Sequence, residues 1–207
     1  SGLVSENEVL YLFILVSLVG FLLGWLIHLQ ALAVLVLVWV VGVIYNWRFK
    51  HFGLVGNLMV SFSVGMTFIF GGVVVNQVWQ PAVLFFAIWV FLINLGEEIA
   101  ADANDLEGDR QSGSRSLAVL FGRKTAIRIS SGIFLLVAAG SAVPFIFGWL
   151  AWVYFLPLLF ADGVILYSTS KLMNVNETQR RRYIRWIYLS GMAALLVFIG
   201  IIIVDIL

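Results

Sequence analysis

The chain has 207 residues, 62% of them hydrophobic and 11% charged, with a formal net charge of +1 at pH 7 and no cysteine. A mean hydropathy of +1.07, beside the roughly 25% charged content of ordinary soluble domains, excludes a water-soluble globule. The absence of cysteine excludes disulfides, thiolate metal sites and a cysteine nucleophile, and the near-neutral balance gives no basis for a nucleic-acid partner.

What remains is an all-α, polytopic transmembrane helix bundle, read as one domain over residues 1–207. The opening Ser1-Gly2-Leu3-Val4-Ser5-Glu6 lacks the basic flank and cleavage site of a signal peptide. A first residue other than Met raises the expectation that the natural chain starts further upstream. Apolar runs near the roughly 20 residues that cross a hydrocarbon core lie at 9–27, 31–47, 54–75, 81–99, 126–147, 149–169 and 183–204. The connectors around His28, from Asn76 to Gln80 and at Gly148 contain no Lys or Arg, so all 12 basic residues fall on the other side. The positive-inside rule makes that side cytoplasmic, with Ser1 inside and Leu207 outside.

The second connector, Tyr45-Asn46-Trp47-Arg48-Phe49-Lys50-His51-Phe52-Gly53, mixes cations with aromatic rings. Such a segment anchors a helix at the membrane interface, and it can equally clamp an anion. Asn57, one turn into the third span, adds a polar group where apolar ones are the rule.

The fourth span runs into Asn94-Leu95-Gly96-Glu97-Glu98-Ile99-Ala100-Ala101-Asp102-Ala103-Asn104-Asp105-Leu106-Glu107-Gly108-Asp109-Arg110. If one helix continues through it, Asn94, Glu98, Asp102, Asp105 and Asp109 share a stripe and Glu107 points away. Stacked carboxylates repel one another unless a cation sits among them. Asp105 and Asp109 are therefore expected to bridge a hydrated Mg²⁺, with Asp102 as a third ligand or an orienting base. Glycine and glutamate are not where a calcium-binding EF-hand loop needs them, whether the loop starts at Asp102 or Asp105. Gly122-Arg123-Lys124-Thr125 lacks the upstream glycine of a phosphate-binding P-loop. The fifth and sixth spans are divided only by Gly148, a tight hairpin. Asp162, about two turns from the cytoplasmic end of the sixth span, is expected to face the bundle interior and the same cavity as Asp105. Arg180-Arg181-Arg182 and Arg185 read as topology determinants and contacts to anionic membrane lipids.

Asp102, Asp105, Gly108 and Asp109 follow the spacing D-x-x-D-x-x-G-D, and Tyr45 to Lys50 followed by Gly56-Asn57 precedes them in the chain. In these residues the sequence resembles the UbiA-type intramembrane prenyltransferases. That resemblance implies nine transmembrane helices, two Asp-rich motifs on the cytoplasmic side, Mg²⁺ as cofactor and an isoprenyl diphosphate as donor. It implies metal binding and catalysis by Asp102, Asp105 and Asp109. Substrate contacts would come from Tyr45, Arg48, Lys50, Asn57, Glu98, Arg110 and Asp162, with Lys50 on the diphosphate. Glu98-Ile99, Asn57-Leu58-Met59-Val60 and Phe70-Gly71-Gly72 look most like the archaeal branch, whose acceptor is a lipid phosphate, geranylgeranylglyceryl phosphate. Other branches prenylate 4-hydroxybenzoate, a naphthoate, homogentisate or a chlorophyllide. A secondary transporter is a distant alternative, and no protein partner is expected. The family's first motif, N-x-x-x-D-x-x-x-D, has no counterpart here, so the chain is expected to be a C-terminal fragment with seven of nine helices.

Overall fold

Ser5 starts the first helix through a reciprocal cap. Its Oγ accepts a hydrogen bond from the Glu8 amide at 3.3 Å, while Glu8 Oε2 accepts one from the Ser5 amide at 2.7 Å. The computed structural model describes residues 5–206, so Ser1 and Leu207, whose sides of the membrane were inferred above, lie outside the described residues. Helix α1 spans Glu6–Ile27 and α2 spans Leu29–Ile44, joined by the single extended residue His28. The His28 ring fixes this turn from both nitrogens. Nδ1 accepts from the Ala31 amide at 3.2 Å, and Nε2 donates to the Val73 carbonyl at 2.9 Å, a pairing that requires the neutral Nε2–H tautomer.

The end of α2 widens into a π-helical turn, Tyr45–Phe49, before α3 (Leu54–Val74). Gly53 has φ +54°, and a Cβ there would collide with the backbone of Arg115 and Ser116. The Arg115 amide donates to His51 O at 3.0 Å across the same contact. The second connector is thereby fastened to the segment that follows the acidic run.

Helix α4, Pro81–Asn104, begins with Pro at its first turn, where the missing N–H costs nothing. Small residues let its neighbours approach closely. A Cβ on Gly65 of α3 would meet Ala87 O at 2.7 Å, and one on Gly96 would meet the Phe134 ring at 2.7 Å. Short helices α5 (Leu106–Gln111) and α6 (Leu117–Phe121) lead to α7, Arg123–Gly140. After a one-turn α8 (Val143–Ile146) and a 3₁₀ turn at Trp152–Tyr154 come α9, Phe155–Leu172, and α10, Glu177–Ile206. The core lies among α4, α7, α9 and α10, where Trp89, Ile99, Phe134, Ile165, Leu172 and Ile187 are buried together.

Seven helices are long and apolar enough to cross a membrane, and no strand occurs among the described residues. The protein is thus a multi-pass membrane helix bundle. Three boundaries differ from the sequence reading. The fifth span ends at Ile146 and the sixth begins at Trp152, so residues 147–151 separate them and not Gly148 alone. The last helix begins six residues earlier than hydropathy places it, since arginines continue a helix as well as apolar residues do. The fourth helix does not run unbroken through the acidic segment. It stops at Asn104, and Asp105 leaves helical geometry at φ −101° and ψ 29° before α5 begins.

Candidate functional site

The break at Asp105 has a local cause and a tertiary one. Asn and Asp side chains compete with the backbone for hydrogen bonds and favour helix ends. Two arginines then hold the α4 terminus. Arg123 Nε donates to Ala103 O at 2.9 Å, and the buried Arg180 donates from Nη1 to Asn104 Oδ1 at 3.3 Å. Arg180 also donates to the carbonyls of Leu172 at 3.1 Å and Val175 at 2.8 Å. Cations are favoured at a helix C-terminus, where carbonyls lack partners. Arg180 is therefore a buried strut between the ends of α4 and α9, which corrects its reading as a lipid contact.

The break divides the acidic stripe. Asn94, Glu98 and Asp102 stand on α4, with Asp105 at the junction and Asp109 on α5. Asp102 Oδ2 accepts a hydrogen bond from Asn57 Nδ2 at 2.8 Å, and Asn94 Oδ1 accepts one from Ser61 Oγ at 3.1 Å. Two polar rungs thus join α3 to α4 on this flank. Gly56 brings the π-helical turn against α3, since a Cβ would meet Phe49 O at 2.9 Å and the Tyr45 ring at 3.4 Å. The Tyr45 phenol consequently lies within electrostatic range of Glu98 and Asp102. Arg48 and Lys50 are exposed on the same connector. The spacing of Asp105 and Gly108 also has a structural reason. The Asp105 carboxylate folds over Gly108, whose missing Cβ would sit 3.0 Å from Oδ1.

Other expected partners are not brought in. Arg110 is exposed and pairs with Glu107 at 3.2 Å. Asp162 enters the bundle, where it is buried and accepts from Ser141 Oγ at 2.5 Å, but it does not share a cavity with Asp105. It lines an apolar cavity of about 260 Å³ between α4, α9 and α10 with Trp89, Ile93, Leu158 and Phe198. It sits ten residues before Leu172, deeper than the two turns inferred from hydropathy.

Asp105 belongs to a second cavity of about 450 Å³, lined on α4 by Glu97, Glu98, Ala101 and Asn104 and on α10 by Arg181, Arg185 and Tyr188. Tyr188 lines both cavities. Sequence reasoning missed Glu97, Arg181, Arg185 and Tyr188. The spacing of Arg181, Arg185 and Tyr188 at i, i+4 and i+7 was an available signal for a shared face.

Among the described residues no three His, Cys, Asp or Glu side chains converge into a ready-made metal cage. The donors nevertheless fit a hard cation. All are carboxylate oxygens, and Oδ2 of Asp109 is buried without a hydrogen-bond partner. Mg²⁺ commonly takes only one or two carboxylates, with water and substrate phosphate completing its shell.

Residues 1–191 match the profile of the UbiA prenyltransferase family. The chain is 36% identical over 151 residues to the digeranylgeranylglyceryl phosphate synthase of Methanopyrus kandleri, covering 73% of this chain and 55% of that protein. Against the synthase of the same name from Methanothermobacter thermautotrophicus it is 32% identical, covering 88% and 63%. Against that from Methanosphaera stadtmanae it is 29% identical, covering 81% and 61%. The chain thus spans less than two thirds of the length of these relatives. A solved structure of digeranylgeranylglyceryl phosphate synthase superposes with a TM-score of 0.80 at 24% identity, over 97% of this chain and 71% of that one. At that identity the likeness establishes the fold.

Proposed function

This chain belongs to the UbiA prenyltransferase family, and we propose from that premise that the complete protein is a prenyltransferase of archaeal lipid synthesis. It moves a geranylgeranyl group from its diphosphate to the free hydroxyl of geranylgeranylglyceryl phosphate, forming an ether bond. The observation that carries this reading is the Asn57–Asp102 hydrogen bond at 2.8 Å. It ties α3, against which the basic connector packs at Gly56, to the D-x-x-D-x-x-G-D segment, so that the connector and the carboxylates lie at the same end of the bundle. The names of the relatives support the choice of donor and acceptor.

Asp102, Asp105 and Asp109, with Glu98 beside them, would hold Mg²⁺ together with the donor diphosphate. When bound, the metal neutralises charge that builds on the departing diphosphate. Lys50 contacts the diphosphate from the connector, Arg48 stands in reserve, and Tyr45 and Asn57 hold the connector against the acids. The donor C1–O bond breaks with its electron pair leaving on the diphosphate. The acceptor oxygen attacks the allylic carbon and gives its proton to a carboxylate of the cluster. Fixed charges at the leaving group lower the barrier because they need no reorganisation during the reaction. Asp162 belongs to the wall of an apolar cavity suited to an isoprenoid chain. The basic end of the bundle is read as the cytoplasmic one, in the cell membrane.

The test uses the complete enzyme in bilayers with geranylgeranyl diphosphate, Mg²⁺ and geranylgeranylglyceryl phosphate. An ether product is expected with this acceptor and none with 4-hydroxybenzoate. Prenylation of the aromatic acceptor alone would move the protein to another branch of the family. A Lys50→Met enzyme whose affinity for the donor is unchanged would remove that residue from the site.

A further inference from the structure

The second cavity sets acidic and basic side chains opposite one another without pairing them. Glu97, Glu98 and Asp105 line one wall, Arg181 and Arg185 the other. The ion pairs among the described residues are Arg110–Glu107 and Arg123–Glu177, so these five groups are not bridged to one another. Each arginine at this end of α10 also has a different environment. Arg180 is buried in its strut, and Arg182 lies over the Trp186 ring at 4.9 Å. Arg181 and Arg185, one turn apart, are left facing the cavity. They stand in the second and third turns of α10, on the face turned to α4. Positive-inside sorting explains basic residues at this end, but not the aim of two of them at one cavity.

The same faces of α4 and α10 continue into the apolar cavity. Along α4, Phe86, Trp89, Val90 and Ile93 lead to Glu97 and Glu98, and along α10 Phe198, Leu195 and Met192 lead through Tyr188 to Arg185. An anionic head and a long hydrocarbon tail are the complement of this seam. Asn57 and the connector carrying Lys50 flank the opposite, α3-facing side of the acids.

We propose that Arg181 and Arg185 bind the phosphate of the acceptor lipid, whose isoprenoid chain passes Tyr188 into the cavity lined by Trp89 and Phe198. This rests on the lipid-phosphate acceptor proposed above. The donor diphosphate then occupies the α3 side of the acids and the acceptor the α10 side, which places the two substrates on either flank of Glu98 and Asp105. Paired guanidinium groups suit a phosphomonoester because each offers a planar fork of donors.

The test is a titration of the complete protein in neutral detergent with EDTA, so that no divalent ion supports the diphosphate site. The probes are geranylgeranylglyceryl phosphate and its dephosphorylated alcohol, read by tryptophan fluorescence. Wild type should bind the phosphate at least tenfold more tightly than the alcohol. R181A/R185A should bind both alike, and R181K/R185K should recover part of the difference. A phosphate preference that survives in R181A/R185A, or that is missing from wild type, overturns the assignment. Gly191→Leu, which projects into open space beside the tail cavity, should weaken C20 acceptors more than short-chain ones, and equal weakening would remove the tail from this seam. In turnover assays R181A/R185A should raise the acceptor KM at least tenfold and leave the donor KM unmoved. A rise confined to the donor KM would give the arginines to the diphosphate and overturn the proposal. A wild-type enzyme that makes no ether product would count against the reaction, while the titration still decides the site.

Discussion

Helices α1 and α4 are both apolar enough to span a membrane, yet they occupy opposite extremes of the bundle. Of α1, Gly24 alone is buried, and Tyr11, Leu15, Leu18 and Trp25 on its different faces are exposed. Helix α4 buries nine residues, among them Trp89, Gly96, Ile99 and Asn104. The helix with more polar atoms is the one inside. Lipid solvates an apolar side chain as well as a neighbouring helix does, so hydrophobicity alone draws no membrane helix inward. Burial follows small residues and polar groups that find partners. Gly96 packs under the Phe134 ring, its carbonyl accepts from Ser130 Oγ at 2.7 Å, and Asn94 and Asp102 are bonded to α3.

The sharpest way to break this comparison is in the chemistry. Asp102→Asn and Asp105→Asn in the complete enzyme should each lower prenyl transfer by about 100-fold or more, the scale of losing a group that stabilises developing charge. Leu15→Ala on α1 should leave turnover within about twofold. Near-normal rates for Asp105→Asn with Mg²⁺ present would remove that residue from the metal site.

Packing should separate the two regions next. Phe134→Ala empties a fully buried site against α4 and should cost about 3–5 kcal/mol of stability, read from unfolding in detergent. An α1 truncation that cost as much would mean that α1 is held as tightly as α4. Arg180→Met should cost about 2–3 kcal/mol, because it strips Asn104, Leu172 and Val175 of buried hydrogen bonds. A small loss would show the strut to be dispensable.

At the α1–α2 turn the effects are smaller. His28→Ala loses the cap on Ala31 and the bond to Val73, and about 1 kcal/mol is expected. Last is Gly20→Ala on α1, where a new Cβ meets nothing within 4 Å. Helix propensity alone should then act, raising stability by up to about 1 kcal/mol, and a loss would reveal a hidden contact on this face.

Hydropathy and charge sorting were sufficient for the seven spans, since each needs only its own apolar stretch and the side of its basic flanks. The acidic segment stood out in the sequence because its carboxylates recur at fixed spacing. Its path did not. Whether α4 continues or breaks depends on Arg123 and Arg180, which lie 20 and 76 residues from their partners Ala103 and Asn104. The depth of Asp162 was misjudged for a similar reason. Helix α9 runs three residues past the hydropathy boundary, to Leu172, whose carbonyl accepts from Arg180 of α10.

By itself, then, the sequence determined an all-helical membrane bundle, the end that gathers its charge, and the residue types able to hold a metal and a diphosphate. These follow from local composition and helical period. Tertiary structure alone decided that Asn57 reaches Asp102, that Arg180 is a strut while Arg181 and Arg185 face a cavity, and that Asp162 and Asp105 line separate spaces meeting at Tyr188. Neighbouring arginines are chemically identical along the chain, and only the helices packed against them give each its own surroundings.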